Sequence, residues 1–337
     1  MPFEARRDPQ LEPAAIRAAA ARIAPAFTGA PQYVNEALTA RAGRPVVLKV
    51  ESVNPIRSFK GRGTWLAVEE LVGEGTVGPE RPVVAASTGN FGQGLAFAGR
   101  AFGVPVVVFA DEHANPLKLE RMRGLGATVV QAGADFDAAR EAAERFARER
   151  SAHLLVDGQD PWIATGAATI ALEVTDSVAA GHLPAIGTAY VPLGNGALLS
   201  GIGAWLRHAA PGCRIVGVAA SGASCMVDSI RSGRVIETER AATYAEGIAC
   251  RVPVPEALEM LVGRVDDLML VTEDELHAAE SELRAASGIT AEGAAAASWA
   301  GLLHEASEAG GGAPGGSRPD RQAGAALVIL TGSNASS

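Results

Sequence analysis

Asn54-Pro55-Ile56-Arg57-Ser58-Phe59-Lys60-Gly61-Arg62-Gly63 is the stretch from which the rest of the chain can be read. Three of the 29 basic residues are lysine (Lys49, Lys60 and Lys118), and the others are arginine. A guanidinium stays protonated, whereas a desolvated lysine can lose its proton and act as an amine nucleophile. Lys60 stands among turn formers and behind an aromatic side chain able to cover a flat ring. Taken alone, the segment also fits a surface lysine near a helix start, so two further loops have to decide.

The first is Ala86-Ser87-Thr88-Gly89-Asn90-Phe91-Gly92-Gln93-Gly94, which follows the apolar run Pro82–Ala85 and leads into a helix-like Leu95-Ala96-Phe97-Ala98. Glycines let the backbone approach a ligand, and the hydroxyls and N–H groups at such a helix start suit a carboxylate. An ordinary hydroxyl-capped turn has the same composition. The second is Tyr190-Val191-Pro192-Leu193-Gly194-Asn195-Gly196-Ala197-Leu198, a short strand entering a Gly-rich loop that opens a helix over 198–207. Its free N–H groups suit a phosphate, and the pattern also allows a dinucleotide site. The following strand, 214–220, ends in alanines where a dinucleotide site carries an acidic residue for the ribose, so the loop reads as a cup for a monophosphate.

Together these segments resemble the fold-type II pyridoxal-phosphate enzymes, and among them the serine/threonine dehydratases. The resemblance runs along nearly the whole chain: Val47–Glu51 with Ser58–Gly63, the Ser87–Gly94 loop, Gly194–Leu198, Glu246-Gly247-Ile248-Ala249, Glu292-Gly293-Ala294-Ala295 and Thr331-Gly332-Ser333-Asn334 follow in the family's order. It implies an α/β, tryptophan synthase beta-like fold of two domains with twisted, mainly parallel sheets flanked by helices. The large domain is expected over 1–81 and 159–337, and the small domain over 82–158.

The resemblance also implies roles. Lys60 is expected to hold pyridoxal 5'-phosphate covalently and then to act as base at the substrate Cα, with Phe59 packed near the cofactor. Asn90 is expected at the ring's phenolic oxygen, and Ser87, Thr88, Gly89 and Asn90 at the substrate carboxylate. Gly194, Asn195, Gly196, Ala197 and Leu198 are expected to offer N–H groups to the phosphate, and Thr331 a hydroxyl to the pyridine nitrogen. A neutral hydroxyl there limits charge on the ring and suits loss of a β-hydroxyl with little carbanion build-up. The implied reaction is β-elimination from serine, threonine or a related 3-hydroxy amino acid to a 2-oxo acid and ammonia. Alternatives are β-replacement as in cysteine synthases, racemisation with Thr88 as a hydroxyl base on the opposite face, and a non-catalytic ligand-binding protein. The sequence departs from the family at Phe91 (usually His), at Asn195 and Ala197 (commonly Gly), at Ala219 (often a cation-binding Glu, hence no metal expected) and at Arg57 (usually small). Arg57 reads as solvated, or as a contact for an acidic substrate tail.

Composition agrees. The chain has 337 residues, 48% of them hydrophobic, a net charge of −9 and no basic block, which argues against nucleic acid and anionic membrane as partners. Cys213, Cys225 and Cys250 are scattered and read as free thiols of a reducing cytoplasm. No segment reads as a membrane span or signal peptide, and a homodimer is the expected assembly. Short apolar strands (104–110, 128–132, 153–156, 188–193, 215–219) alternate with helices (13–23, 135–150, 272–286). His304–Gln322 reads as a flexible loop before a last strand, 325–330. The family's C-terminal regulatory domain has no counterpart in the sequence, so feedback control of that kind is not expected.

Overall fold

The computed structural model describes residues 3–310 and 324–334. Its strands are β1 (Gln32–Val34), β2 (Val46–Val50), β3 (Val83–Ala86), β4 (Val106–Ala110), β5 (Thr128–Gln131), β6 (His153–Leu154), β7 (Ile186–Pro192), β8 (Arg214–Ala220), β9 (Asp267–Val271) and β10 (Ala325–Leu330). The helices are α1 (Pro13–Ala20), α2 (Glu36–Ala42), α3 (Lys60–Gly73), α4 (Asn90–Phe102), α5 (Pro116–Gly124), α6 (Phe136–Arg150), α7 (Pro161–Ala179), α8 (Ala197–Ala209), α9 (Cys225–Ser232), α10 (Pro255–Leu261), α11 (Glu273–Ser287) and α12 (Gly293–Gly310).

Two sheets form, a six-stranded one in the order β1-β2-β10-β7-β8-β9 and a four-stranded one in the order β5-β4-β3-β6. Every pairing is parallel except β1 with β2. Parallel strands need helical crossovers, which cover both faces and explain the nearly continuous Val/Ile/Leu/Ala runs. One face of the larger sheet packs with α1, α7 and α8 around Trp205, and the other with α11 and α12 around Trp299. The smaller sheet is covered by α3 and α4 on one side and by α6 on the other.

Alternation along β2 puts Val46, Leu48 and Val50 into one core and Val47 into the other. Lys49 and Glu51 share the Val47 side, so two charges enter a buried layer and need partners there. Arg62 of α3 and Glu173 of α7 supply them. Arg62 donates from Nε and Nη2 to the two Glu51 carboxylate oxygens at 2.8 and 2.9 Å, and from Nη1 to Glu173 at 2.7 Å. Lys49 bonds Glu173 and the Ala30 carbonyl. Burial opposes the Arg62 charge, but Glu51 and Glu173 outweigh it and raise the guanidinium pKa. Burial pushes the Glu173 carboxyl upward, and Arg62 and Lys49 more than reverse this, holding it below its usual range. The cluster ties β2, α3 and α7 together directly behind Lys60. Small residues bring the same helices close: a Cβ on Gly166 of α7 would lie 2.3 Å from the Gly63 nitrogen of α3.

The expected strands and helices are present, with no end shifted by more than three residues. One expectation is corrected. His304–Gly310, read as part of a loop, completes α12, because Trp299 and Leu302 continue a buried stripe that anchors the helix. The remainder of that expected loop, 311–322, lies outside the described residues.

Candidate active site

In a parallel sheet all carboxyl ends lie on one side, and side chains for binding gather there. The segments after β2, β3, β6, β7 and β10 converge on a cavity of about 640 Å³ whose lining includes Phe59, Lys60, Ser87, Thr88, Gly89, Asn90, Asp157, Gly194, Asn195, Gly196, Leu198 and Thr331. Residues expected from four separate stretches of sequence therefore share one space. Ala197, the first residue of α8, is not among the lining residues, its side chain being buried in the core beneath the smaller sheet.

After β2, the Asn54 side chain shapes the turn. Its Oδ1 accepts the Ile56 and Ser58 N–H groups, and its Nδ2 donates to the carbonyls of Glu51 and Ser58. The Phe59 N–H then bonds the Thr331 carbonyl at 3.0 Å, pinning the start of α3 to the end of β10. Lys60 is the first residue of α3. Its Nζ lies 4.9 Å from the Phe59 ring centre and 5.9 Å from that of Phe91, and is ion-paired with Asp157. The other carboxylate oxygen of Asp157, Oδ1, is buried and has no hydrogen-bond partner among the described residues.

After β3, Ser87 Oγ accepts the N–H groups of Gly89 (3.2 Å) and Gly92 (2.9 Å), so its hydroxyl caps α4. Asn90 donates to Glu292 Oε1 at 2.7 Å and accepts from Asn334 Nδ2 at 2.8 Å. Burial raises the Glu292 carboxyl, opposed by the Lys118 charge and by hydrogen bonds from Asn90 and the Asn334 N–H. Lys118 of α5, itself buried, reaches across to Glu246 at 2.6 Å, and Arg121 bonds Asn334 at 2.7 Å. The Glu246, Glu292 and Thr331 motifs thus meet the Ser-Thr-Gly-Asn loop at the cavity wall.

After β7, the turn into α8 requires glycine twice. A Cβ on Gly194 would fall 2.8 Å from the Gly247 carbonyl oxygen, and Gly196 has φ +101°. The first-turn N–H groups of the 13-residue α8 have no intrahelical acceptors, and the helix dipole favours an anion there. These features fit pyridoxal phosphate: the Lys60 amine at the cavity with aromatic rings beside it, and a tight glycine turn at a helix N-terminus for the phosphate.

Arg57 is exposed, in a left-handed conformation (φ 52°), and is not among the lining residues; its carbonyl accepts the Ser333 N–H. Of its two readings, the solvated one fits. Sequence reasoning assigned no role to Asp157 or Lys118. Asp157 follows a two-residue strand in Val156-Asp157-Gly158-Gln159, with no motif to mark it. Among the described residues no group of three or more His, Cys, Asp or Glu is placed to hold a metal ion, and no helix is long and apolar enough to cross a membrane.

A family model described as "Pyridoxal-phosphate dependent enzyme" matches residues 24–315. The L-threonine ammonia-lyase of Thermotoga maritima is 34% identical over 263 residues, covering 78% of this chain and 64% of that protein. A catabolic L-threonine dehydratase of Staphylococcus aureus is 31% identical over 258 residues, covering 77% and 72%. The matched region is thus a little under two thirds of the length of the Thermotoga relative. Among solved structures, a threonine deaminase of T.th. superposes with a TM-score of 0.84 at 26% identity, covering 97% of this chain and 99% of that one.

Proposed function

Because the chain belongs to the pyridoxal-phosphate dependent enzymes and has their type II fold, we propose that it is an ammonia-lyase acting on serine, threonine or a related 3-hydroxy amino acid. The observation that carries this reading is the meeting of Lys60, the Ser87–Asn90 loop, the Gly194–Leu198 turn and Thr331 around one cavity. The threonine ammonia-lyase and threonine dehydratase relatives support it.

When bound, pyridoxal phosphate supplies a conjugated ring that takes up the electron pair released at the substrate Cα. In this reading the N–H groups of Gly194–Leu198 hold its phosphate, and Asn90 meets the ring's phenolic oxygen. Phe59 and Phe91 shield the Lys60 amine from water. The N–H groups of Thr88 and Asn90, with the Ser87 and Thr88 hydroxyls, orient the substrate carboxylate, so that the Cα hydrogen points at Lys60 Nζ. Lys60 Nζ takes that proton and is then placed to return it to the departing hydroxyl. Asp157 holds the resulting ammonium in place. Loss of water, followed by hydrolysis, gives a 2-oxo acid and ammonia.

A panel of 3-hydroxy amino acids, scored for ammonia and 2-oxo acid and in parallel for the D-enantiomer, tests the reading. Release of equal amounts of both products is expected. Enantiomer without ammonia makes the protein a racemase, and no turnover of any member overturns the proposal.

Variants at two positions probe the assigned roles. Asp157→Asn should keep cofactor binding and lower kcat by roughly 10- to 100-fold, because Lys60 Nζ loses the contact that fixes its position. An unchanged kcat would show that contact to be dispensable. Thr331 is buried at the cavity wall with its hydroxyl proposed beside the ring nitrogen. Thr331→Ser should therefore retain most activity, and Thr331→Asp should slow ammonia release by about tenfold or more, since an anion there favours a protonated ring. Equal rates for the parent and Thr331→Asp would show that the side chain does not touch the ring.

We propose further that the two sheets mark two domains, 1–81 with 159–337 and 82–158, and that the protein works as a cytoplasmic homodimer. Sedimentation measures the last point.

A further inference from the structure

A side-chain amide has a donor end and an acceptor end, and its neighbours decide which way it faces. At the cavity wall that decision passes through four side chains. Arg121 of α5 can only donate, and its Nη1 donates to Asn334 Oδ1 at 2.7 Å. The other end of that buried amide, Nδ2, is thereby turned towards two acceptors, the Ile56 carbonyl and Asn90 Oδ1, each at 2.8 Å. Asn90 is thus held by its oxygen on one side. On the other side its Nδ2 donates to Glu292 Oε1 at 2.7 Å, and Glu292 Oε2 accepts the Asn334 N–H at 3.3 Å.

Both Glu292 oxygens accept, the pattern of an ionised carboxyl. Turning the Asn90 amide over would set N–H against N–H at Asn334 and oxygen against oxygen at Glu292, so one orientation is strongly favoured. Glu292 is itself fixed, since its N–H bonds the Gly332 carbonyl at 3.1 Å and holds the start of α12 against the end of β10. Asn90 Nδ2 carries two hydrogens. One goes to Glu292; the other has no acceptor among the described residues, and Asn90 lines the cavity.

We propose, on the reading that Asn90 lies at the phenolic oxygen of pyridoxal phosphate, that Glu292 and Asn334 are positioning residues which lock the Asn90 amide so that its second N–H, and not its oxygen, meets the ring. A donor at that place favours the anionic form of the phenolic oxygen, whereas an acceptor would favour the phenol. Glu292 therefore sets the electronic state of the ring through Asn90, by orientation rather than by its own charge.

The test is pyridoxal phosphate binding, and absorbance of the holoprotein across pH, in the parent, Asn90→Ala, Glu292→Met and Glu292→Gln. The anionic phenolic oxygen gives the bound cofactor its visible band, and the neutral phenol moves that band into the near ultraviolet. Glu292→Met keeps the length of the side chain and removes the acceptor. It should weaken cofactor binding about tenfold or more and, at equal pH, shift absorbance from the visible to the near ultraviolet. Glu292→Gln keeps an oxygen for the Asn90 N–H but turns an N–H towards that of Asn334, and should lie between Glu292→Met and the parent. Circular dichroism checks that each variant is folded, and Glu292→Gln carries the test if Glu292→Met is not. A charge acting directly on the ring would oppose the anionic oxygen, so a visible band strengthened by loss of Glu292 would overturn the proposal. Parent-like binding and spectrum in both Glu292 variants, with Asn90→Ala altered, would overturn it as well. Parent-like behaviour of Asn90→Ala would instead remove its premise, that Asn90 meets the ring.

Discussion

Lys60→Ala is expected to lower ammonia release by roughly three powers of ten or more while leaving the protein folded and able to bind pyridoxal phosphate non-covalently. The size follows from the position of the amine. Lys60 Nζ is the lysine nitrogen that the fold holds between Phe59, Phe91 and Asp157, so its removal takes away the covalent anchor and the base together. Folding should survive, because the Lys60 side chain ends at the cavity rather than in the core. The same experiment has an internal control. Borohydride reduction of the parent should fix the cofactor on Lys60, and peptide mapping should find none on Lys49 or Lys118, whose amines are engaged by Glu173 and Glu246. Label on either of those lysines, or near-normal turnover by the variant, would make Lys60 a bystander.

Arg62→Ala should be the most destabilising single change near the site, costing about 3–5 kcal/mol, since it strands the carboxylates of Glu51 and Glu173 in a buried layer. Arg62→Lys keeps the charge but cannot grip Glu51 with two donors, and should fall between the parent and alanine. Denaturant unfolding followed by tryptophan fluorescence measures both. The depressed carboxyl of Glu173 adds a pH signature. Its contribution is complete above the unfolded-state value and is lost as pH falls through the lower folded-state value. The parent should therefore lose stability on acidification below ~4.3, and Arg62→Ala should lose less over that window. A cost under about 1 kcal/mol for Arg62→Ala would mean that the cluster relaxes or admits water.

The parts of the fold legible in the sequence were those with a local signature. Runs such as Val106–Ala110 and Ala325–Leu330 read as buried parallel strands because both faces are covered. The turns at Ser87–Gly94 and Gly194–Leu198 carried their glycines and hydroxyls in plain view. What was not legible depended on distant partners. Lys49 and Glu51 look like the polar half of an edge strand until Arg62 and Glu173 are brought beside them. Asp157 becomes meaningful only when the end of β6 is set against the start of α3. The Glu292 motif was recognised by order alone, and its contacts with Asn90 and Asn334 explain its neighbours: a Cβ on Gly332 would sit 2.3 Å from Glu292 Oε1. The three-residue antiparallel β1 offered too few positions for any period.

The distribution of lysine has a practical consequence. Side-chain exposure is 0% at Lys49, 12% at Lys60 and 9% at Lys118, so the charged exterior of this protein is guanidinium and carboxylate with no free ammonium side chain. Reagents that modify amines, such as acylating dyes, aldehyde fixatives and activated resins, find no lysine on the outside of the folded molecule and are left with the α-amino group. Enzymes that acetylate or ubiquitinate lysine meet the same bare surface. Any amine labelling of the native protein beyond the α-amino group would therefore report on the cavity or on opening of the structure, which makes a commonplace coupling reagent a selective probe of both.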